Sequence, residues 1–362
     1  MVSMPKPNHY GLILAGGRGT RFWPRSRRAR AKQVLRFTGE RSLIQGTVDR
    51  LKPILPPERI WVLTNEYLQA EIRSQLPNVP PEQILAEPAQ RNTAPAIGLM
   101  AHILHTIDPD AVMGVFPADH VIGRPAQYVR LLRPAFKAAA AGKIVVLGIQ
   151  PRWPETGYGY IEFPKGVQPG TLEAQSVRRF REKPDLTTAR RFVKAGNFYW
   201  NAGMFFWKAS VLLDQLREHL PKTALLLAAL PPFEDPRFFS VLNETFPRCQ
   251  NISIDFAVLE KAREVTGFAA GDIGWNDVGS WNAVYELLPR DGAGNVTRSE
   301  ALVHSSSGNY VDAEGKLVAL LGVKDLVVVD TPEALLIADR SRAQEVGELV
   351  KMLENQKRHD LL

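Results

Sequence analysis

The stretch from Gly11 to Arg36, GLILAGGRGTRFWPRSRRARAKQVLR, constrains this chain more than any other. It opens on Leu12-Ile13-Leu14-Ala15, a short apolar run of the kind that forms a buried parallel strand. Glycines follow at 16, 17 and 19, where the missing Cβ lets backbone N–H groups approach a ligand closely and frees φ. Thr20, Arg21, Arg25, Arg27, Arg28, Arg30 and Lys32 come next, with no acid among them. A strand running into a glycine turn lined by cations is a phosphate cradle. Two commoner cradles are excluded. The ATPase loop requires Gly-Lys followed by Ser or Thr, whereas Gly19 precedes Thr20-Arg21. The dinucleotide fingerprint needs a third glycine where Phe22 stands.

The net charge of +7 would suit a nucleic-acid binder, so its location matters. Residues 1–39 hold nine basic residues, Lys6 among them, and no acid, while the other 36 basic residues meet 38 acids. The positive field is therefore local to the glycine loop. That suits a polyanionic small molecule, and no nucleic acid is expected as a partner. A single Cys249 forms no intramolecular disulfide and reads as a small buried residue. The leading MVSMPKPNHYG contains no apolar h-region, and no run reaches the ~18 residues that span a bilayer. No membrane partner is expected, and the expected location is the cytoplasm.

From Tyr10 to about Arg290 short apolar strands alternate with amphipathic helices. The strands expected are Leu12–Ala15, Ile60–Thr64, Ile84–Ala86, Val112–Phe116, Ile144–Leu147, Glu173–Phe180 and Gly203–Trp207. The helices expected are Ser42–Leu51, Glu66–Gln75, Thr93–His105, Gln127–Ala140, Leu186–Ala195, Ala209–Leu220 and Ser280–Leu287. This alternation predicts an α/β fold, a Rossmann-like, mostly parallel sheet with helices on both faces and ligands at the carboxyl ends of its strands. Past Arg290 short apolar runs between Gly- and Ser-rich turns predict a small all-β unit. A closing helix, roughly Arg340 to Gln356, places Val346, Leu349, Val350 and Leu353 on one face. It packs on its own domain or on a second subunit, so a homodimer is one arrangement considered. The expected domains are 1–290 and 291–362.

Several loops carry chemistry. Glu87-Pro88 leads through Asn92-Thr93 into a helix that Asn92 or Thr93 caps. Asp119 stands just beyond the strand Val112–Phe116, and Asp277 lies in GWNDVGSW. Taken separately these two are a turn aspartate and a helix cap. Two loop carboxylates facing a phosphate cradle are also the hard oxygen ligands that Mg²⁺ requires. His120 reads as a residue that backs the ligands or packs, and not as a metal ligand itself. Glu182-Lys183 alone is an ordinary solvated turn, and Asp255 competes with a helix N-cap reading of Ser253-Ile254-Asp255.

LAGGRGTRFWPRSRRARAKQVL resembles the signature of the sugar-nucleotide pyrophosphorylases, and its Trp23-Pro24 and Lys32-Gln33 pairs are similar to those of the mannose-1-phosphate guanylyltransferase branch. The family has proline before the lysine; Ala31 here predicts a looser loop. The resemblance implies transfer of GMP from GTP to mannose 1-phosphate, giving GDP-mannose and pyrophosphate. It implies a nucleotide site made of Leu14, Ala15, Gly16, Gly17, Gly19, Thr20, Arg21, Lys32, Glu87, Pro88, Asn92, Thr93 and Asp119. On the sugar-phosphate side it places Tyr158, Gly159, Glu182, Lys183, Asn201 and Asp255. Mg²⁺ falls to Asp119 and Asp277, the catalytic roles to Arg21, Lys32, Asp119 and Lys183, and the C-terminal unit becomes a left-handed β-helix-like domain. Two alternatives stay open on the residues alone. One is the same fold acting on dTTP or UTP with glucose 1-phosphate; the other is a non-catalytic nucleotide-sugar-binding regulator.

Overall fold

The computed structural model describes residues 8–362; Lys6 and most of the leading segment, on which the expectation of no h-region rests, lie outside them. Twelve strands precede residue 290: β1 (His9–Leu14), β2 (Ile60–Thr64), β3 (Ile84–Ala86), β4 (Val112–Pro117), β5 (Val121–Ile122), β6 (Ile144–Ile149), β7 (Tyr160–Glu162), β8 (Gln175–Ser176), β9 (Arg179–Arg181), β10 (Phe198–Lys208), β11 (Val265–Ala270) and β12 (Trp275–Asn276). Ten of them form one sheet in the order β3-β2-β1-β4-β10-β6-β11-β8, with β7 pairing on β10 and β9 on β7. β3, β2, β1 and β4 run parallel, as do β6 and β11. Between the two parallel blocks β10 runs antiparallel to both neighbours.

Side chains alternate across a strand, and that alternation builds two cores. Leu12, Leu63 and Val115 join one cluster with helices Thr93–Ile107 and Ala209–His219, while Ile13, Val62 and Phe116 join the other with helices Leu43–Leu51 and Pro125–Ala140. Both faces of the sheet are thus covered, which is why the strands read as nearly continuous apolar runs.

The differences from expectation are local. The single strand Glu173–Phe180 is two short strands, β8 and β9, with Arg178 donating to Glu162 O between them. β10 is eleven residues long, not five, because its aromatic first half pairs with β7. Strand β11, VTGFAA, next to the edge of the sheet, and helices Pro221–Ala228 and Phe238–Thr245 escape pattern reading. β11 carries Gly and Ala where Phe163 presses against Gly267, and small residues weaken its strand signature.

Beyond residue 290 come β13 (Val296–Thr297), β14 (Ala301–His304), β15 (Tyr310–Asp312), β16 (Val318–Leu321), β17 (Leu326–Asp330) and β18 (Leu335–Asp339). β13, β15 and β17 stack parallel, as do β14 and β16, which is the pairing of successive coils in a β-helix. Buried asparagines stitch the coils together: Asn309 donates to Asn295 Oδ1 at 2.9 Å and accepts from Leu326 N at 2.9 Å. The chain closes with a 3₁₀ segment, Arg340–Glu345, and helix Val346–Asn355. That helix packs on its own chain. Val346 and Val350 are buried with Phe22 and Trp23 of the glycine loop, whereas Leu349, expected on the same face, is 39% exposed. Among the described residues no helix is long and apolar enough to cross a membrane.

Candidate active site

The glycine loop leaves β1 between the ends of β2 and β4, at the carboxyl edge of the sheet. Its carbonyls are turned inward and held. Gln33 Nε2 donates to Ala15 O at 2.5 Å and to Gly17 O at 3.0 Å, Thr64 Oγ1 donates to Ala15 O at 3.0 Å, and Asn65 Nδ2 donates to Gly16 O at 3.3 Å. The amides of Gly16 to Thr20 donate to no protein acceptor among the described residues, which leaves a run of N–H groups for an anion. Gly19 has φ of 62°, and a Cβ there would lie 2.9 Å from Lys32 N, so only glycine fits. Ala31 contradicts the expected looseness: it is fully buried with φ of −73°, the value proline would impose.

Lys32 is the junction of the site. Buried at 6% exposure, it donates from Nζ to Asp119 Oδ2 at 2.8 Å and to the backbone carbonyl of Asp277 at 2.6 Å. One ammonium therefore ties the loops after β1, β4 and β12 to one another. Burial opposes ionisation of Asp119, but the Lys32 charge overrides it and holds the carboxyl below its usual range. The Asp277 side chain lies beside Tyr158, whose hydroxyl pKa is raised first by burial and then by that carboxylate. His120 packs, as expected, edge-on to Trp275 and accepts from its Nε1 at 3.2 Å, and burial pushes its pKa down to about 4.

The opposite wall holds a second polar group. A bulge in β10 carries four of its residues past two of β6, with Gly203 at φ of 66°, and turns Asn201 into the cavity. Asn201 Nδ2 donates to Asp255 Oδ1 at 3.0 Å. Burial first, and then neighbouring Glu182, push Asp255 up to about 7. Glu182 is 8% exposed, its Oε1 takes the Lys183 ammonium, and its Oε2 is buried without a partner. The cap reading of this region falls to Ser253, which accepts from Phe256 N, so Asp255 is left for the cavity.

The two groups face each other across one cavity of about 920 Å³. Its wall includes Leu14, Ala15, Gly16, Gly17, Gly19, Thr20, Lys32, Glu87, Asn92, Thr93, Asp119, Tyr158, Gly159, Glu182, Asn201, Asp255 and Asp277. Arg21, Pro88 and Lys183 stand outside that wall: Arg21 donates to Gln344 at 2.6 Å, Pro88 is exposed, and Lys183 turns away at φ of 42° to meet Glu182. Asn92 is the helix cap, bonding Thr93 N, while Thr93 Oγ1 accepts from Ile254 N. Glu87 closes one end of the cavity over Gly16, and burial raises its carboxyl to about 8.

Residues 10–293 match the family model described as nucleotidyl transferase, and residues 300–353 match the MannoseP isomerase/GMP-like beta-helix domain. The chain is 39% identical, over 96% of its length and 75% of the relative's, to a putative mannose-1-phosphate guanylyltransferase of Vibrio cholerae. The mannose-1-phosphate guanylyltransferase of Escherichia coli K12 is likewise 39% identical, over 99% of this chain and 76% of that one. This chain belongs to the mannose-1-phosphate guanylyltransferase family of nucleotidyl transferases. A Thermus thermophilus crystal structure described as a mannose-1-phosphate geranyltransferase superposes with a TM-score of 0.83 at 33% identity, covering 96% of this chain and 99% of that chain. For a nucleotidyl transferase, the cavity has the required polarity: amides and a cation at one end, hydroxyl acceptors at the other.

Sequence reading missed three contributors. Gln33 was visible only as the neighbour of Lys32, and its clamp on two carbonyls 16 and 18 residues back is a tertiary fact. Asn251 joins the wall from a loop with no motif. Arg91, beside Asn92, donates to Pro247 O and so fixes the loop from Glu87 to Asn92 to the segment that carries Asn251.

Proposed function

We propose that this protein transfers GMP from GTP to mannose 1-phosphate, releasing pyrophosphate and GDP-mannose. The Lys32 junction carries the reading, because it sets a buried cation and two carboxylate loops beside an amide-lined turn. The triphosphate lies on the amides of Gly16–Thr20, with Lys32 beside it and Arg18 and Arg21 at the mouth. The guanine occupies the slot between Leu14, Glu87 and Asn92-Thr93. The sugar is read by Glu182, Asn201 and Asp255, and the orphaned Glu182 Oε2 supplies an acceptor still in need of a hydroxyl. Lys183, exposed and paired with Glu182 outside the cavity wall, reaches the sugar phosphate by turning from that carboxylate.

The attacking phosphate oxygen is already anionic near neutral pH, since the second pKa of a phosphate monoester is about 6. No general base is needed. The obstacle is repulsion: at ~4 Å and an effective dielectric of 20, each pair of like unit charges costs about 4 kcal/mol. Lys32, Lys183, the arginines and the fixed amides offset that repulsion and stabilise charge spreading in the transition state.

Among the described residues no cluster of three His, Cys, Asp or Glu side chains is gathered for a metal. Two carboxylates are what Mg²⁺ uses when it arrives with substrate phosphates and keeps several waters. Asp119, 37% exposed at its side chain, and Asp277 fit that donor set and would hold Mg²⁺. When bound, the ion neutralises phosphate charge and orients the triphosphate.

The test is pyrophosphate release from GTP, mannose 1-phosphate and Mg²⁺, against a panel including dTTP and UTP with glucose 1-phosphate. Release that requires both substrates and stops on chelation is expected. Turnover confined to another pair would reassign the substrates, and binding without turnover would make the protein a regulator.

A further inference from the structure

The arginines of the glycine loop divide by what holds them. Arg25 meets two carboxylates, Asp312 at 2.6 Å and Glu314, and Arg27 lies 3.8 Å from Glu333. Those positive charges are cancelled on the far side of the loop. Arg18 and Arg21 differ. Arg18 lines the cavity and meets Glu354 at 2.7 Å, while Arg21 at the rim is met by the neutral amide oxygen of Gln344 at 2.6 Å. Both partners belong to the closing segment, Gln344 to its 3₁₀ turn and Glu354 to its helix. That segment runs along the outside of the cradle: a Cβ on Gly347 would lie 3.5 Å from Thr20 Oγ1 and 3.8 Å from Arg21 Cγ.

We propose that the closing segment sets the electrostatic potential at the mouth of the nucleotide cradle, with Gln344 and Glu354 as positioning residues for Arg21 and Arg18. An amide oxygen orients a guanidinium without neutralising it, so Arg21 presents its full charge to a triphosphate. A carboxylate orients and subtracts, so Arg18 contributes less. Both pairs are solvated, which makes them weak as structural ties and responsive to salt. The inference rests on the reading of the cavity as a nucleoside triphosphate site.

Calorimetric titration of the full chain with GTP tests it. Gln344→Glu keeps an acceptor for Arg21 and adds a negative charge, so Kd rises on the order of 5-fold. Glu354→Gln keeps an acceptor for Arg18 and removes a negative charge, so Kd falls by a similar factor. Both shifts shrink as added salt reaches ~0.5 M, and KM for mannose 1-phosphate stays within about twofold. A packing role would move both variants in one direction without regard to salt. Shifts of the same sign, or an unchanged Kd in both variants, overturn the proposal. Should the wild-type chain prefer another nucleoside triphosphate, the same variants are titrated with it, and failure of the guanine assignment is then read apart from failure of the proposal. A wild-type chain that binds no triphosphate overturns both.

Discussion

Lys32 shows how much one side chain decides. An ammonium at 6% exposure is costly to bury, and it persists because Asp119 and the Asp277 carbonyl both accept from it. Lys32→Ala leaves Asp119 without its counter-charge and the cradle without its inner cation. A loss of kcat/KM for GTP of at least ~10²-fold is expected in steady-state assays. Asp255 offers a prediction of the opposite electrostatic kind. Its carboxyl titrates near 7 in the folded chain against an ordinary value of 3.8, so the folded state holds a proton that the unfolded state has lost. The stability linked to that proton is fully present below about pH 4 and is lost as pH rises towards 7. Asp255→Asn removes the dependence. Melting curves from pH 4.5 to 8 are therefore expected to show the variant gaining on the wild type as pH rises, while sugar recognition weakens. A difference in Tm that is flat with pH would contradict the burial argument.

At the scale of elements, the glycine loop is a turn whose shape is imposed from behind. Gln33 is 3% exposed and holds Ala15 O and Gly17 O; Ala15 O keeps a second donor in Thr64, but Gly17 O has no other among the described residues. Gln33→Leu leaves that carbonyl unpaired. It is expected to cost about 1–3 kcal/mol in chemical denaturation and to weaken triphosphate binding measured by titration, because the amides lose their common orientation. A variant with wild-type GTP affinity would show that the glycines hold the turn unaided. The parallel strands β1, β2, β3 and β4 were legible because each is an apolar run buried on both faces. β11 was not, since a strand built from Gly and Ala is defined by the ring of Phe163 that fills the space above it. The bulge in β10 that delivers Asn201 was equally hidden: an extra pair of residues against β6 leaves no mark on composition.

For the molecule as a whole, the C-terminal domain and the glycine loop share a core. Phe22, Trp23, Leu35 and Phe37 pack with Trp281, Tyr310, Val329 and Val350. Arg25 rivets the two together; its side chain is 13% exposed and that of Asp312 10%. Arg25→Ala would leave Asp312 with the Tyr310 hydroxyl at 3.3 Å and the weaker approach of Arg298 at 3.5 Å as its only cation. A destabilisation of about 3 kcal/mol is expected from denaturant midpoints, together with reduced turnover because the loop carrying Lys32 is anchored there. Loss of stability with turnover intact would mean that the cradle does not depend on its C-terminal support.

The residues of the cradle, the carboxylates at 119 and 277, the α/β pattern of a sheet covered on both faces and the change of character near residue 290 were all determined by the linear sequence, because apolar period and glycine placement are local properties. What the basic run does was decided only in three dimensions. Read along the chain, it is one field of positive charge gathered for a polyanion. In the fold, Asp312, Glu314, Glu333 and Glu354 arrive from about 290 to 340 residues away and pair with Arg25, Arg27 and Arg18, leaving Lys32 and the amides to face the cavity with Arg21 un-neutralised at its rim. Charge is additive in a sequence, but its effect depends on distance and burial, and those exist only once the chain has closed on itself.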